Sequence, residues 1–206
     1  TVPTLSAVTM ASNNAVSTLT KDGDTVTISI TSSEAIGTPT CAVTINGAAA
    51  TSTEGISGSG TSWSCTLVTH DSDADGAVAF SIGFSDSAGN AGTAVTAVTG
   101  GSGVTHDDTA PTLSSVTIAS NNAVTTLTKD GDTVTISITA SETDGTPTCA
   151  ITFNGAAATN TETIASAGGN AWTCTVVAHD NDADGAVAFS IGFSDSAGNA
   201  GTAVTA

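Results

Sequence analysis

Residues Asp73–Ala97 recur without a single change as Asp182–Ala206. The same duplication runs through the rest of the chain. Pro3-Thr4-Leu5-Ser6 returns as Pro111-Thr112-Leu113-Ser114, and Ala11–Val16 as Ala119–Val124, at an offset of 108. By Trp63 the offset has grown to 109, which places a one-residue insertion within Thr163–Ala171, a stretch rich in Gly, Ser and Asn. Insertions are tolerated best in such surface loops. Two copies of about 100 residues match the usual size of a domain. The chain therefore reads as repeat 1 over 1–97, a linker over 98–109, and repeat 2 over 110–206. The linker (VTGGSGVTHDDT) is a Gly/Ser run that ends in an acidic pair. Near-identical copies are expected in long tandem arrays, where this chain would be one portion.

Within each repeat the apolar residues alternate with a period of two. Val26, Ile28 and Ile30 alternate with Thr25, Thr27, Ser29 and Thr31; Val78, Phe80, Ile82 and Phe84 follow the same rule. This is the pattern of half-buried antiparallel strands. Threonine suits the outer face because it is β-branched and polar. Turn residues separate the runs: Lys21-Asp22-Gly23-Asp24, Thr38-Pro39, Asp73-Ala74-Asp75-Gly76 and Ser87-Ala88-Gly89-Asn90. Asn46-Gly47 is a strong two-residue hairpin signal. The spacing predicts strands near 4–11, 24–33, 40–46, 48–53, 62–69, 76–85 and 92–97. That is an all-β chain of two tandem immunoglobulin-like antiparallel β-sandwich domains, with about seven strands each.

Each repeat carries two cysteines, Cys41 and Cys65, then Cys149 and Cys174, all in phase with core positions. One disulfide per domain is the expectation. It would enclose about 25 residues and stabilise by about 3 kcal/mol. Buried free thiols are the alternative, since cysteine is also a good core residue. A zinc site is excluded by spacing, with no C-x-x-C and no clustered histidine. Disulfides imply an oxidising, extracellular or cell-surface location. Trp63 and Trp172 stand two residues before a cysteine, a core position rather than a ligand platform.

The chain has 2 Lys+Arg against 19 Asp+Glu, a formal charge of −17. Two lysines cannot neutralise a row of phosphates, so nucleic acid is excluded as a partner. No apolar run approaches the roughly 20 residues of a membrane helix, so membrane insertion is not expected. With 39% hydrophobic and only 10% charged residues, disorder fits poorly.

The strings Asp108–Leu113 (DTAPTL), Lys129–Glu142 (KDGDTVTISITASE), Thr146–Gly155 (TPTCAITFNG) and Phe193–Asn199 (FSDSAGN) resemble the bacterial-type Ig-like repeats of giant surface adhesins and other extracellular tandem arrays. The likeness covers both repeats. The cysteine pair departs from it, because such repeats commonly carry Val, Ala or Thr there. The resemblance implies a non-enzymatic spacer, stalk or adhesion module, often with calcium stiffening the junctions. Its expected partners are neighbouring Ig-like repeats in a longer chain or fibre, with a glycan or protein ligand as the alternative.

The acidic loops can be weighed for calcium. His70–Gly76 and its copy His179–Gly185 hold the D-x-D-x-D-G runs Asp71, Asp73, Asp75 and Asp180, Asp182, Asp184. Ca²⁺ takes about six to eight oxygen ligands, and this spacing resembles the start of a calcium loop. The twelfth position is Ile82, where a bidentate glutamate would be needed, and a strand follows. The run is therefore no EF-hand. In a sandwich of this type Asp71, Asp73 and Asp75 lie at the C-terminal pole of repeat 1, beside Asp107 and Asp108. Glu142, Asp144, Asp195 and Asn199 lie at the N-terminal pole of repeat 2. Such a concentration of carboxylates repels itself without cations. It is read equally as a candidate Ca²⁺ set and as plain solvated acid, since Asp and Gly are ordinary turn residues. For catalysis, His70 and His179 neighbour an Asp, but no Ser or Cys is marked against them in a pocket.

Overall fold

A computed structural model describes residues 1–142 and 145–206. The chain forms two compact units, Thr1–Thr109 and Ala110–Ala206. The described residues contain strands and turns and no helix.

The first unit contains β1 (Leu5–Ser12), β2 (Leu19–Thr20), β3 (Thr25–Ser32), β4 (Thr40–Ile45), β5 (Ala48–Ala49), β6 (Gly55–Ser59), β7 (Ser62–Val68), β8 (Gly76–Gly83) and β9 (Thr105–His106). One sheet has the order β1-β3-β7-β6, the other β2-β9-β8-β4-β5. This arrangement, with every pair antiparallel except β2 with β9, is the strand order of an immunoglobulin-like sandwich. Alternation decides which side chains go inside. Val26, Ile28 and Ile30 of β3 meet Val43 and Ile45 of β4, Leu67 of β7, and Val78, Phe80 and Ile82 of β8 in one buried cluster. The threonines between them face out, as the period of two requires.

The second unit contains β10 (Leu113–Ser120), β11 (Thr133–Ala140), β12 (Thr148–Phe153), β13 (Ala156–Ala157), β14 (Thr163–Gly168), β15 (Ala171–Val177), β16 (Val187–Gly192) and β17 (Val204–Thr205). Its sheets run β10-β11-β15-β14 and β13-β12-β16-β17. Val134, Ile136, Ile138, Ile151, Phe153, Val176, Phe189 and Ile191 build the equivalent core.

Disulfides join Cys41 to Cys65 and Cys149 to Cys174, each with Cα atoms 6.5 Å apart. Each connects the two sheets, β4 to β7 and β12 to β15. Trp63 and Trp172 pack against their respective cores. Asn46 and Gly47 both take positive φ, 49° and 81°, as a type I′ hairpin turn requires, and Asn154-Gly155 repeats them at 49° and 82°.

Three features depart from the sequence reading. The stretch 48–53 is not one strand. Only Ala48–Ala49 of it is a strand, β5, and the separate β6 begins beyond it at Gly55, in the other sheet. Residues 92–97 make one isolated bridge, Val95 with Ile82, whereas the identical run 201–206 of the second copy supplies β17. Residues 98–109, read as a linker, belong to the first unit and supply β9. Val104 and His106 are 2% and 0% exposed, so they are core rather than tether. The register of β14 against β15 shifts between Ser166 and Gly168, which places the extra residue of repeat 2 at Ala167, inside the expected stretch Thr163–Ala171. The shift has a local consequence. Trp63 Nε1 donates to Gly60 O at 3.2 Å, whereas Trp172 Nε1 is buried without a partner among the described residues.

Candidate functional site

The acidic residues are held by a recurring turn. An aspartate accepts a hydrogen bond from the backbone amide three residues before it. Asp73 Oδ2 accepts from His70 N at 3.0 Å, and Asp182 Oδ2 from His179 N at 2.8 Å. Asp132 Oδ2 accepts from Lys129 N at 3.0 Å, and Asp24 Oδ2 from Lys21 N at 3.0 Å. Such local side-chain-to-backbone bonds are why Asp favours turns.

Asp73 is the most committed of the D-x-D-x-D-G aspartates. It is 8% exposed, and its other oxygen accepts from Thr51 N at 2.7 Å. Asp182 repeats this with Thr159 N at 2.8 Å. Both carboxyls thus tie the loop before β8 or β16 to the segment after β5 or β13. Burial alone would raise the pKa of Asp73, but the bonds from Thr51 and His70 outweigh it and hold the carboxyl below its ordinary value. Asp182 is lowered in the same way, with burial opposed by the His179 and Thr159 amides.

Asp75 is engaged with the segment that follows β9. Its Oδ1 accepts from Asp108 N at 2.8 Å, and its Oδ2 accepts from the Thr109 hydroxyl. Partial burial raises its pKa, and these two donors bring it below its ordinary value. Asp108 Oδ1 in turn accepts from Asp22 N at 3.2 Å, and Asp22 Oδ1 accepts from Asp71 N at 3.1 Å. Asp22, Asp71, Asp75 and Asp108 therefore form one chain of amide–carboxylate bonds at one end of the first unit. Asp107 N donates to Thr20 O at 2.9 Å, which fixes it beside β2.

Among the described residues, Asp71, Asp73 and Asp75 do not bring three carboxylate oxygens within 4.8 Å of one another, and neither do Asp180, Asp182 and Asp184. The loops spread these side chains. In the second unit Asp180 and Asp184 are exposed. Glu142 lies just past β11. Asp195 accepts from Asn199 N and Asn199 Nδ2, both at 2.8 Å, closing the turn after β16. Asp86 and Asn90 make the same turn in the first unit. Asp144 lies outside the described residues.

The histidines that open the two D-x-D-x-D-G runs each pair with the next aspartate. His70 Nδ1 is 2.7 Å from Asp71 Oδ1, but the Ser72 hydroxyl donates to Asp71, not to the histidine. The copy keeps the pair, His179 and Asp180 at 2.8 Å, while Asn181 replaces the serine.

The sequence reading missed the strand that closes the first unit. β9 pairs with β2 in parallel and with β8 antiparallel. Val104 O accepts from Val78 N, Thr105 N donates to Thr18 O, and Asp107 N donates to Thr20 O, each at 2.9 Å. The only signal in the sequence was the inward phase of Val104 and His106, two residues apart.

No protein-family model and no curated protein matches the chain. Among solved structures, it is similar to a chimeric titin Z1Z2 functionalised with a KLER exogenous peptide from decorin, with 14% identity and a TM-score of 0.36. That comparison covers 100% of this chain and 93% of the other. The titin Ig tandem domains A164-A165 give 13% identity and a TM-score of 0.32, again over 100% and 93%. The assignment of the fold rests on the strand order described above.

Proposed function

We propose that the chain is a non-enzymatic structural spacer or stalk module of an extracellular tandem-repeat surface protein, adhesin or fibre. The observation that carries this reading is the construction of both repeats. Each near-identical copy has its own core and its own inter-sheet disulfide. Such modules bear load and set distance without needing a pocket. The disulfides support an extracellular setting, because bridges persist in oxidising compartments. Sugar recognition is disfavoured, since both tryptophans are packed against cores and the chain has no tyrosine.

Single-molecule stretching tests the spacer role. Two separate unfolding events are expected. Each should fall short of full extension by the residues locked inside a bridge, 24 and 25 apart in sequence. Reduction should release about 3.5 Å per locked residue. A chain that extends without resisted unfolding is no load-bearing spacer.

Calcium belongs to the same proposal as a stiffening ion, supported by the density of carboxylates at Asp71, Asp75, Asp107 and Asp108. Titration calorimetry at millimolar Ca²⁺ decides it: absence of binding heat removes calcium from the mechanism.

A further inference from the structure

The two repeats share the residues around β9, yet among the described residues only the first repeat carries that strand. In the first unit, β9 lies between β2 and β8, and the side chains beneath it are covered. Val8 and Met10 are 0% and 8% exposed, and Val78 is 6% exposed. Leu19 is half-buried in strand β2. In the second unit the counterpart of β2 is not a strand. Leu127, which corresponds to Leu19, is 61% exposed, and Ile118, which corresponds to Met10, is 41% exposed. Val116 and Val187, the counterparts of Val8 and Val78, are only half-buried. A groove of about 320 Å³ opens there, lined by Ile118, Thr126, Leu127, Val134, Ala186 and Val187.

We propose that this groove is an acceptor site for an extended strand with the chemistry of Gly103–Asp108. The first repeat defines the occupant. It needs an apolar side chain followed two residues later by a second inward side chain, as Val104 and His106 are placed, with a small polar residue facing out between them. Its backbone would bond to Val187 N, Thr126 O and Thr128 O, the counterparts of Val78 N, Thr18 O and Thr20 O. The pairing is strand addition between two waiting edges. Main-chain bonds supply the affinity and the alternate side chains the specificity. An exposed edge flanked by apolar residues invites this kind of pairing. The inference stands apart from the spacer reading, because it rests on the contrast between two copies of one sequence.

The test appends a second copy of Val98–Thr109 after Ala206 of the full chain. The melting transition of the second repeat should rise by about 5 °C or more. Amide exchange at Val187 should slow at least about tenfold, as for a bond that opens only with local unfolding. An extension with Asp at the position of Val104 should give neither effect. The proposal is overturned if the native extension changes neither reading, or if the Asp version acts equally. It is also overturned if the unextended chain dimerises and protects Val187 in the dimer, because a second copy would then be the occupant.

Discussion

The two repeats form a natural comparison, because the same sequence pattern closes in one and stays open in the other. Leu19 and Leu127 sit in matching segments, and so do Met10 and Ile118. In the first repeat the strand Thr105–His106 and Val104 close this side of the core. The lesson concerns where a repeat ends. The stretch shared without change by both copies reaches Ala97 in the first, but the first unit continues to Thr109. Its closing strand lies beyond the duplicated block, across a run of glycine and serine.

The largest effect expected comes from the disulfides. Replacing Cys41 and Cys65 together by Ala should cost the first repeat about 3 kcal/mol. Its melting transition, followed by calorimetry, should fall by about 10–25 °C while that of the second repeat stays in place. Replacing Cys149 and Cys174 should do the reverse. If both transitions move in either variant, the repeats do not melt as separate units, and comparing them one by one loses its basis.

Next comes the strand itself. Val104→Ala removes two buried methyl groups and should destabilise the first repeat by about 2 kcal/mol. The same change should make the first repeat behave like the second, with faster amide exchange at Val78 and Thr105. Unchanged exchange there would mean that β9 contributes little to closure. The openness of the second repeat would then need another cause.

Much of this architecture could be read from the residues alone. Long strands such as β3 and β11 announce themselves, because Thr and Ser alternate with Val and Ile along nearly their whole length. The Asn46-Gly47 hairpin and the phase of the cysteines were equally plain. The unread parts share a physical reason. A strand of two residues has no period to detect, and the Gly/Ser run before Val104 has the composition of a tether. β6 reads Gly-Ile-Ser-Gly-Ser, with a single large apolar side chain to mark its inner face. For the acidic loops, composition gave the density of carboxylates but not their work. Asp73 and Asp182 are spent on backbone amides. The spacing from His70 to Asp73, repeated at Lys21-Asp24 and Lys129-Asp132, was the available sign of a turn in which the fourth residue binds the first.

Asp73→Asn tests that turn. The amide nitrogen of Asn cannot accept, so one of the two backbone donors loses its partner, at a cost of about 1–2 kcal/mol. The effect depends on pH with a definite sign. Asp73 has its folded pKa below the ordinary 3.8, so its carboxylate stabilises fully above that value. The contribution is lost as pH falls through the lowered folded value. Denaturation series should therefore show a constant gap between parent and variant near neutrality, shrinking below pH 3.8. A gap that persists into strong acid would mean that the charge is irrelevant. Asp182→Asn should give the same profile in the second repeat, because the copies build this turn alike.

The smallest effect separates a second cause of divergence from the missing strand. In the first repeat the Thr20 and Thr69 hydroxyls meet at 3.0 Å, and Thr69 Oγ1 also donates to Lys21 O. In the second repeat Ala178 replaces Thr69, and the Thr128 hydroxyl is buried without a partner among the described residues. An unpaired buried hydroxyl is a standing cost. Ala178→Thr restores the pair and should stabilise the second repeat by about 1 kcal/mol, read as a rise of about 4–8 °C in its transition. The change should leave Leu127 exposed, because a hydroxyl pair at Thr128 does not cover the groove. If Ala178→Thr instead slowed exchange at Val187 as strongly as an added strand, the groove would owe its openness to one lost hydrogen bond. The contrast between the repeats would then reduce to a single substitution.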